Sequence, residues 1–131
     1  MANATIQISL SGGEAEGEWM RFEPGSVLQG TAQIVPQGDI RCNHVYVRLQ
    51  WHTEGRGTRN EGRVGEIDMA QGTLAANTPL SQNFHFTLPK EPWSYAGHYI
   101  NIVWEVVVNI DIPLAPDLNF SQPFILAPGR R

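Results

Sequence analysis

The sequence predicts an all-β protein, an antiparallel β-sandwich of about seven or eight strands. Three observations carry that expectation. Apolar residues recur with a period of two almost throughout. Turn-forming Gly, Pro, Asn and Ser clusters interrupt the alternating runs at short intervals. No stretch of ten or more residues combines helical spacing with helix caps. A length of 131 residues suits one domain spanning 1–131 and a core that needs no staples.

The elements follow in order. Ile6, Ile8 and Leu10 share a face in Thr5–Leu10. Residues 12–18 hold Glu14, Glu16 and Glu18 among glycines and read as a solvated loop or edge. Pro24-Gly25 marks a turn before a strand at Val27–Val35, and Pro36-Gln37-Gly38 ends it. Val45, Val47, Leu49 and Trp51 face a core while Tyr46, Arg48 and Gln50 face water. Residues 53–66 read as a long loop, with Arg56, Arg59 and Arg63 balanced by Glu54, Glu61 and Glu66 and almost nothing apolar to bury. It is a flexible connector or a contact for a partner. A strand at Val64–Met69 overlaps its end.

Phe84, Phe86 and Leu88 alternate with His85 and Thr87, which places His85 on an outer sheet face. The longest run is Tyr99–Ile112, preceded by His98 in a turn. Ile100, Ile102, Trp104, Val106, Val108, Ile110 and Ile112 point one way. Asn101, Val103, Glu105, Val107, Asn109 and Asp111 point to the other side. Its length exceeds an ordinary strand and implies a bend or bulge. Leu118–Leu126 completes the set after the Pro113–Pro116 turn.

Several functional classes find little support. A net charge of −4, from 9 Lys+Arg and 13 Asp+Glu, lacks the basic face of a nucleic-acid binder. One cysteine allows no internal disulfide. There is no apolar run long enough to span a membrane, and Met1–Leu10 does not read as a secretion signal. A cytoplasmic location is the expectation. Arg130 and Arg131 read as a solvated basic tail.

No catalytic or cofactor set is legible, so we expect no enzyme and no cofactor. Cys42 and His44, two apart in a strand, would share a face, but zinc needs three or four ligands. His52 with Glu54 has the same shortfall. Asp111 and Asp117 flank a turn, too few for a calcium cage. No serine lies in a nucleophile-elbow context. A metal-dependent enzyme using Cys42, His44 and His52 is thus the weakest rival. Trp51 and Trp104 belong to core faces. Trp19 lies near a loop. Trp93 and Tyr95 either anchor a partner, stack on a ligand, or plug one end of the sandwich.

One segment is more specific. Phe84-His85-Phe86-Thr87-Leu88-Pro89, then Pro92-Trp93-Ser94-Tyr95-Ala96-Gly97, then Ile100-Asn101-Ile102-Val103-Trp104-Glu105-Val106, resembles the arrestin N-terminal domain. Phe22-Glu23-Pro24-Gly25-Ser26-Val27-Leu28-Gln29-Gly30 is similar to that family's Pro-Gly turn into a strand, and Ile110-Asp111-Ile112-Pro113 also fits. The match runs from about Ile6 to Pro128. In this turn Pro89 and Pro92 preset φ, Gly97 adopts a backbone angle closed to other residues, and Tyr95 buries its ring.

The resemblance implies an immunoglobulin-like β-sandwich that binds proteins, as in arrestins, the arrestin-like retromer subunit and bacterial sporulation-control proteins. Those relatives have two tandem sandwiches, whereas this chain has length for one. Where receptor-regulating members carry adjacent lysines, this chain reads Ser9-Leu10-Ser11-Gly12-Gly13-Glu14, so no phosphate-sensing residue carries over. The expected function is a non-enzymatic adaptor or scaffold that meets a protein partner through a strand edge or end loops. Its candidate contacts are Trp93, Tyr95, Arg56, Arg59 and Arg63. A second copy is a possible partner for the surface that relatives cover with their second domain. The alternative is a carbohydrate-type ligand-binding sandwich using exposed aromatics.

Overall fold

The computed structural model describes residues 3–57, 59–96 and 100–128. The expectations for Gly97, His98, Tyr99, Arg130 and Arg131 lie outside them. Ten strands form two sheets, and no helix occurs among the described residues. The smaller sheet orders β1 (Ala4–Ser11), β4 (Val27–Pro36) and β7 (Leu80–Thr87). The larger orders β2 (Glu14–Glu16), β3 (Trp19–Phe22), β10 (Leu118–Leu126), β9 (Ile100–Asp111), β5 (Ile40–Gly55) and β6 (Glu61–Leu74). The short β8 (Tyr95–Ala96) also pairs with β9. All pairs are antiparallel except β3 with β10, where Arg21 and Phe22 lie beside Ile125 and Leu126.

Alternation places the core between the sheets. Leu28, Ala32 and Ile34 of β4 and Phe84 and Phe86 of β7 meet Val45, Val47 and Leu49 of β5 and Trp104, Val106, Val108 and Ile110 of β9. Trp104 has 0% exposure, and its indole N–H donates to the carbonyl of Pro92 at 2.7 Å. Phe22 meets Phe124 edge-on at 5.5 Å. That geometry adds about 0.5–1.5 kcal/mol beyond the buried area. Trp51 is half-buried against the core rather than inside it.

Two glycines of β6 are required by close approach. A Cβ at Gly65 would stand 2.8 Å from the Phe86 ring, and one at Gly62 would collide with the Trp51 indole nitrogen. The bare backbone lets both rings lie flat against this edge strand.

Three expectations are corrected here. Ten strands form where about seven or eight were expected. Residues 12–18 are not simply a loop, because β2 pairs with β3 as a hairpin. Residues 53–66 are mostly strand: β5 runs to Gly55, β6 starts at Glu61, and only the tip 56–60 connects them. Thr53 and Asn60 close that tip through two bonds of 2.8 Å, Thr53 N–H to the Asn60 carbonyl and Asn60 N–H to Thr53 Oγ1. Main-chain pairing with β5 stabilises these residues without an apolar face. The outer side of β9 is closed at its centre. Glu105, Val107 and Asn109 are buried there by long side chains from β5 and β10 on a sheet that twists around them.

Trp104→Ala should cost about 3–5 kcal/mol, since it opens a void and strips the Pro92 carbonyl of its donor. Urea unfolding would read it as a lower midpoint at unchanged slope.

Candidate partner-binding surface

The sequence candidates collect at one end of the larger sheet. Tyr95 of β8 pairs with Ile102 of β9, Ile102 pairs with Thr53 of β5, and Thr53 bonds Asn60 next to β6. One row therefore runs across β8, β9 and β5 to the residue just before β6. Tyr95 lies two strand spacings from Thr53, about 10 Å. The 56–60 tip, with Arg56 and Arg59, stands just past this row.

Main-chain bonds fix the aromatic segment. Ser94 N–H donates to the Leu126 carbonyl at 2.7 Å, and Leu126 N–H donates to Ser94 Oγ at 2.9 Å. The Trp93 indole N–H donates to the Lys90 carbonyl at 2.8 Å. Trp93 is nevertheless 52% exposed and Tyr95 60%. The expected plug and the buried Tyr95 ring are thus overturned.

The arginines divide. Arg56 and Arg59 are exposed at the tip, where Arg59 reaches Glu61 at 3.7 Å. Arg63 sits farther along β6, paired across from Gln50 and 3.5 Å from Glu66. It lines a groove of about 340 Å³ on the outer face with Arg48 and Asn119.

That outer face holds an array the sequence did not reveal. His52 is 6% exposed and Glu105 7%. His52 Nδ1 lies 2.8 Å from Glu105 Oε1, and its Nε2 lies 2.8 Å from Glu54 Oε2. Gln50 adds a longer donation to Glu105 at 3.3 Å. Farther along β5, His44 meets Asp68 at 2.7 Å and stacks on Tyr46 at 5.2 Å. The Arg48 guanidinium covers the same Tyr46 ring at 4.5 Å and bonds Glu66 at 2.7 Å. Such half-exposed pairs contribute about 0–1 kcal/mol each. They order the face more than they stabilise it. Alternation along β5 offered the polar side chains, but only its register with β6 and β9 shows which acids they meet.

The same register separates Cys42 from His44. A shift between Cys42 and Val45 inserts a residue, so Cys42 and Val45 both face the core while His44 faces out. The expectation of a shared face is corrected. The Cys42 thiol donates to the Gly72 carbonyl at 3.2 Å. Burial first, then the Asp111 and Asp68 carboxylates, push its pKa above the ordinary thiol value. Asp117 accepts from the buried Asn109 amide at 3.2 Å and from Ile112 N–H at 3.4 Å, which gives it a structural role in the turn. Among the described residues, no group of three His, Cys, Asp or Glu has the arrangement to hold a metal. No helix among them is long and apolar enough to cross a membrane.

No protein-family model matches the sequence, and no curated protein matches it. In structure the chain is similar to Spo0M, the sporulation control protein of Bacillus subtilis, with a TM-score of 0.66 at 17% identity. The match covers 94% of this chain and 49% of that one, so the chain spans about half the length of its structural neighbour. The fold is arrestin-like. At this identity the likeness extends to the fold alone. The two-layer architecture also agrees with the resemblance carried by the Phe84–Pro113 segment.

Two predictions follow from the arrangement. Glu105→Ala should destabilise by about 1–3 kcal/mol, because His52 and Gln50 lose a buried acceptor. Glu54→Ala, at the exposed end, should cost under about 1 kcal/mol; urea unfolding of both variants reads the contrast. Cys42 should react slowly with maleimide in the native state and rapidly in urea. Since the folded thiol holds its proton longer than the unfolded one, stability should fall as pH rises above about 8.5, and the Cys42→Ala variant should lose that slope.

Proposed function

We propose that this arrestin-like sandwich is a non-enzymatic interaction module that binds a protein partner through the β8 end of its larger sheet. The carrying observation is the exposure of Trp93 and Tyr95 on a segment held by main-chain bonds. Large aromatics that are already ordered lose little entropy on binding, which is why they act as anchors. Arg56 and Arg59 are exposed at the neighbouring tip, where acidic residues balance their charge, and add polar contacts for a partner segment around the apolar centre. The structural neighbour is a sporulation control protein, which supports a regulatory role of this kind.

A Trp93→Ala/Tyr95→Ala double variant should keep its melting profile and lose the partner that wild-type protein retains on co-purification from native cells. Hot-spot aromatics predict a loss of about 30-fold or more in affinity. Equal recovery by the two proteins would refute the proposal. The same exposed pair also favours the carbohydrate reading. Quenching of tryptophan fluorescence by an oligosaccharide, abolished in the Trp93→Ala protein, would establish that reading in its place.

A further inference from the structure

One flank of the sandwich is open. The smaller sheet ends there in β1, which lies against β10 and β9 of the larger one. Strand β10 has β9 along one side, but β3 joins its other side at Ile125 and Leu126 alone. From Leu118 to Phe124 no strand borders that side among the described residues. Phe120 pairs with the buried Val108 and so turns toward the inner side, yet it is 39% exposed. Trp19, beside the turn of the β2–β3 hairpin, is 38% exposed. It lines a recess of about 250 Å³ with Ile8, Leu10, Glu18, Met20 and Gln122. Phe120 is the next residue of β10 on the same side as Gln122, about 7 Å away. Half-buried Ile6 and Leu118 continue the apolar strip.

The charge around this flank has one dominant sign. None of the 9 Lys+Arg lies in β1, β2, β9 or β10. Arg21 of β3 is engaged by Glu16 and by the Pro128 carbonyl. The same strands and the turns next to them hold Glu14, Glu16, Glu18, Asp111 and Asp117. Glu18 is exposed on the rim of the recess itself.

We propose that this flank docks a basic amphipathic helix of a protein partner, with its apolar stripe on Trp19 and Phe120 and Lys or Arg on its margins. Shape selects a helix over a strand. A strand added to β1 would run into the hairpin turn at Gly17 and Glu18, which shares the recess with Ile8 in the middle of β1. A strand added to β10 would meet Pro123. A proline within a ladder has no N–H and turns its nitrogen away from the paired strand, here to the open side. A helix satisfies its own main chain and needs no bond from an edge. Its diameter of about 10 Å matches the roughly 10 Å between stacked sheets, so it can rest on β1 and β10 together. Apolar residues one and two turns apart reach both aromatics. Charge selects the basic margins, since an acidic helix would meet Glu14, Glu18 and Asp117 with like charge. A second copy does not supply the occupant, because no helix occurs among the described residues.

The flank is separate from the Trp93–Tyr95 end. Leu126 bonds Ser94 there, and Phe120 lies about 20 Å back along β10. The inference therefore does not rest on the Trp93–Tyr95 reading. Three labelled peptides of about 14 residues, read by fluorescence polarisation against the full chain, test it. The first carries Leu at helical spacing with Lys elsewhere. The second replaces each Lys by Glu. The third alternates Leu and Lys strictly, which favours a strand. The helical Lys peptide should bind, and the other two should bind about tenfold or more weakly. Phe120→Asp should weaken the helical Lys peptide about tenfold or more, although its added negative charge would strengthen mere electrostatic adherence. Trp19→Asp should act in the same direction, which keeps the test if one of the two variants fails to fold by its melting profile. Glu18→Lys should also weaken binding, and Trp93→Ala should leave it unchanged. No binding of the helical Lys peptide by wild-type protein, equal binding of the Glu or the alternating peptide, or undiminished binding by a folded Phe120→Asp or Trp19→Asp protein would each overturn the proposal.

Discussion

The pairing of β5 with β9 is the constraint from which the other features follow. It runs unbroken from His44 opposite Asp111 to Gly55 opposite Ile100. Both strands lie inside the larger sheet, so their main-chain groups are satisfied on both sides and their inward side chains form the centre of the core. A slip by one residue would turn Trp104, Val106 and Val108 toward the outer face and bring Glu105 and Asn109 into the core. The cost of burying those polar groups without partners holds the register as firmly as the apolar contacts do.

The same pairing explains how one sheet has two different functional potentials. Its inner side is a dry core with Trp104 at the end near Pro92. Its outer side is a polar array in which His52 and Glu105 are nearly as buried as core residues. Along the row that ends in Tyr95, Ile102 and Thr53 are half-buried while Tyr95 itself is exposed. An aromatic in register with inward-facing residues is here a surface group.

Charge distribution separates the two layers in a second way. The larger sheet carries complementary charges in register, such as Arg48 with Glu66 and His44 with Asp68. These pairs discourage a foreign strand from adding at β6. The smaller sheet has no such defence.

Much of the architecture was legible in the chain. Alternation identified the core faces of β1, β4, β5, β7, β9 and β10, because strand geometry assigns successive side chains to opposite sides whatever the partner strand is. It also singled out Trp104. What alternation could not deliver was anything that depends on a neighbour. The tip at 56–60 was hidden because Glu61–Arg63 are strand by main-chain pairing with β5, with no apolar signal of their own. The opposite faces of Cys42 and His44 come from a bulge that only the β6 register reveals. The His52–Glu105 contact joins residues far apart in sequence, so no local pattern could announce it. Sequence by itself determined which residues avoid water, since that preference is a property of each side chain and its spacing. Only the tertiary structure decided which polar residues meet and which aromatics stay bare, since those outcomes depend on strand register and on where one sheet ends over the other.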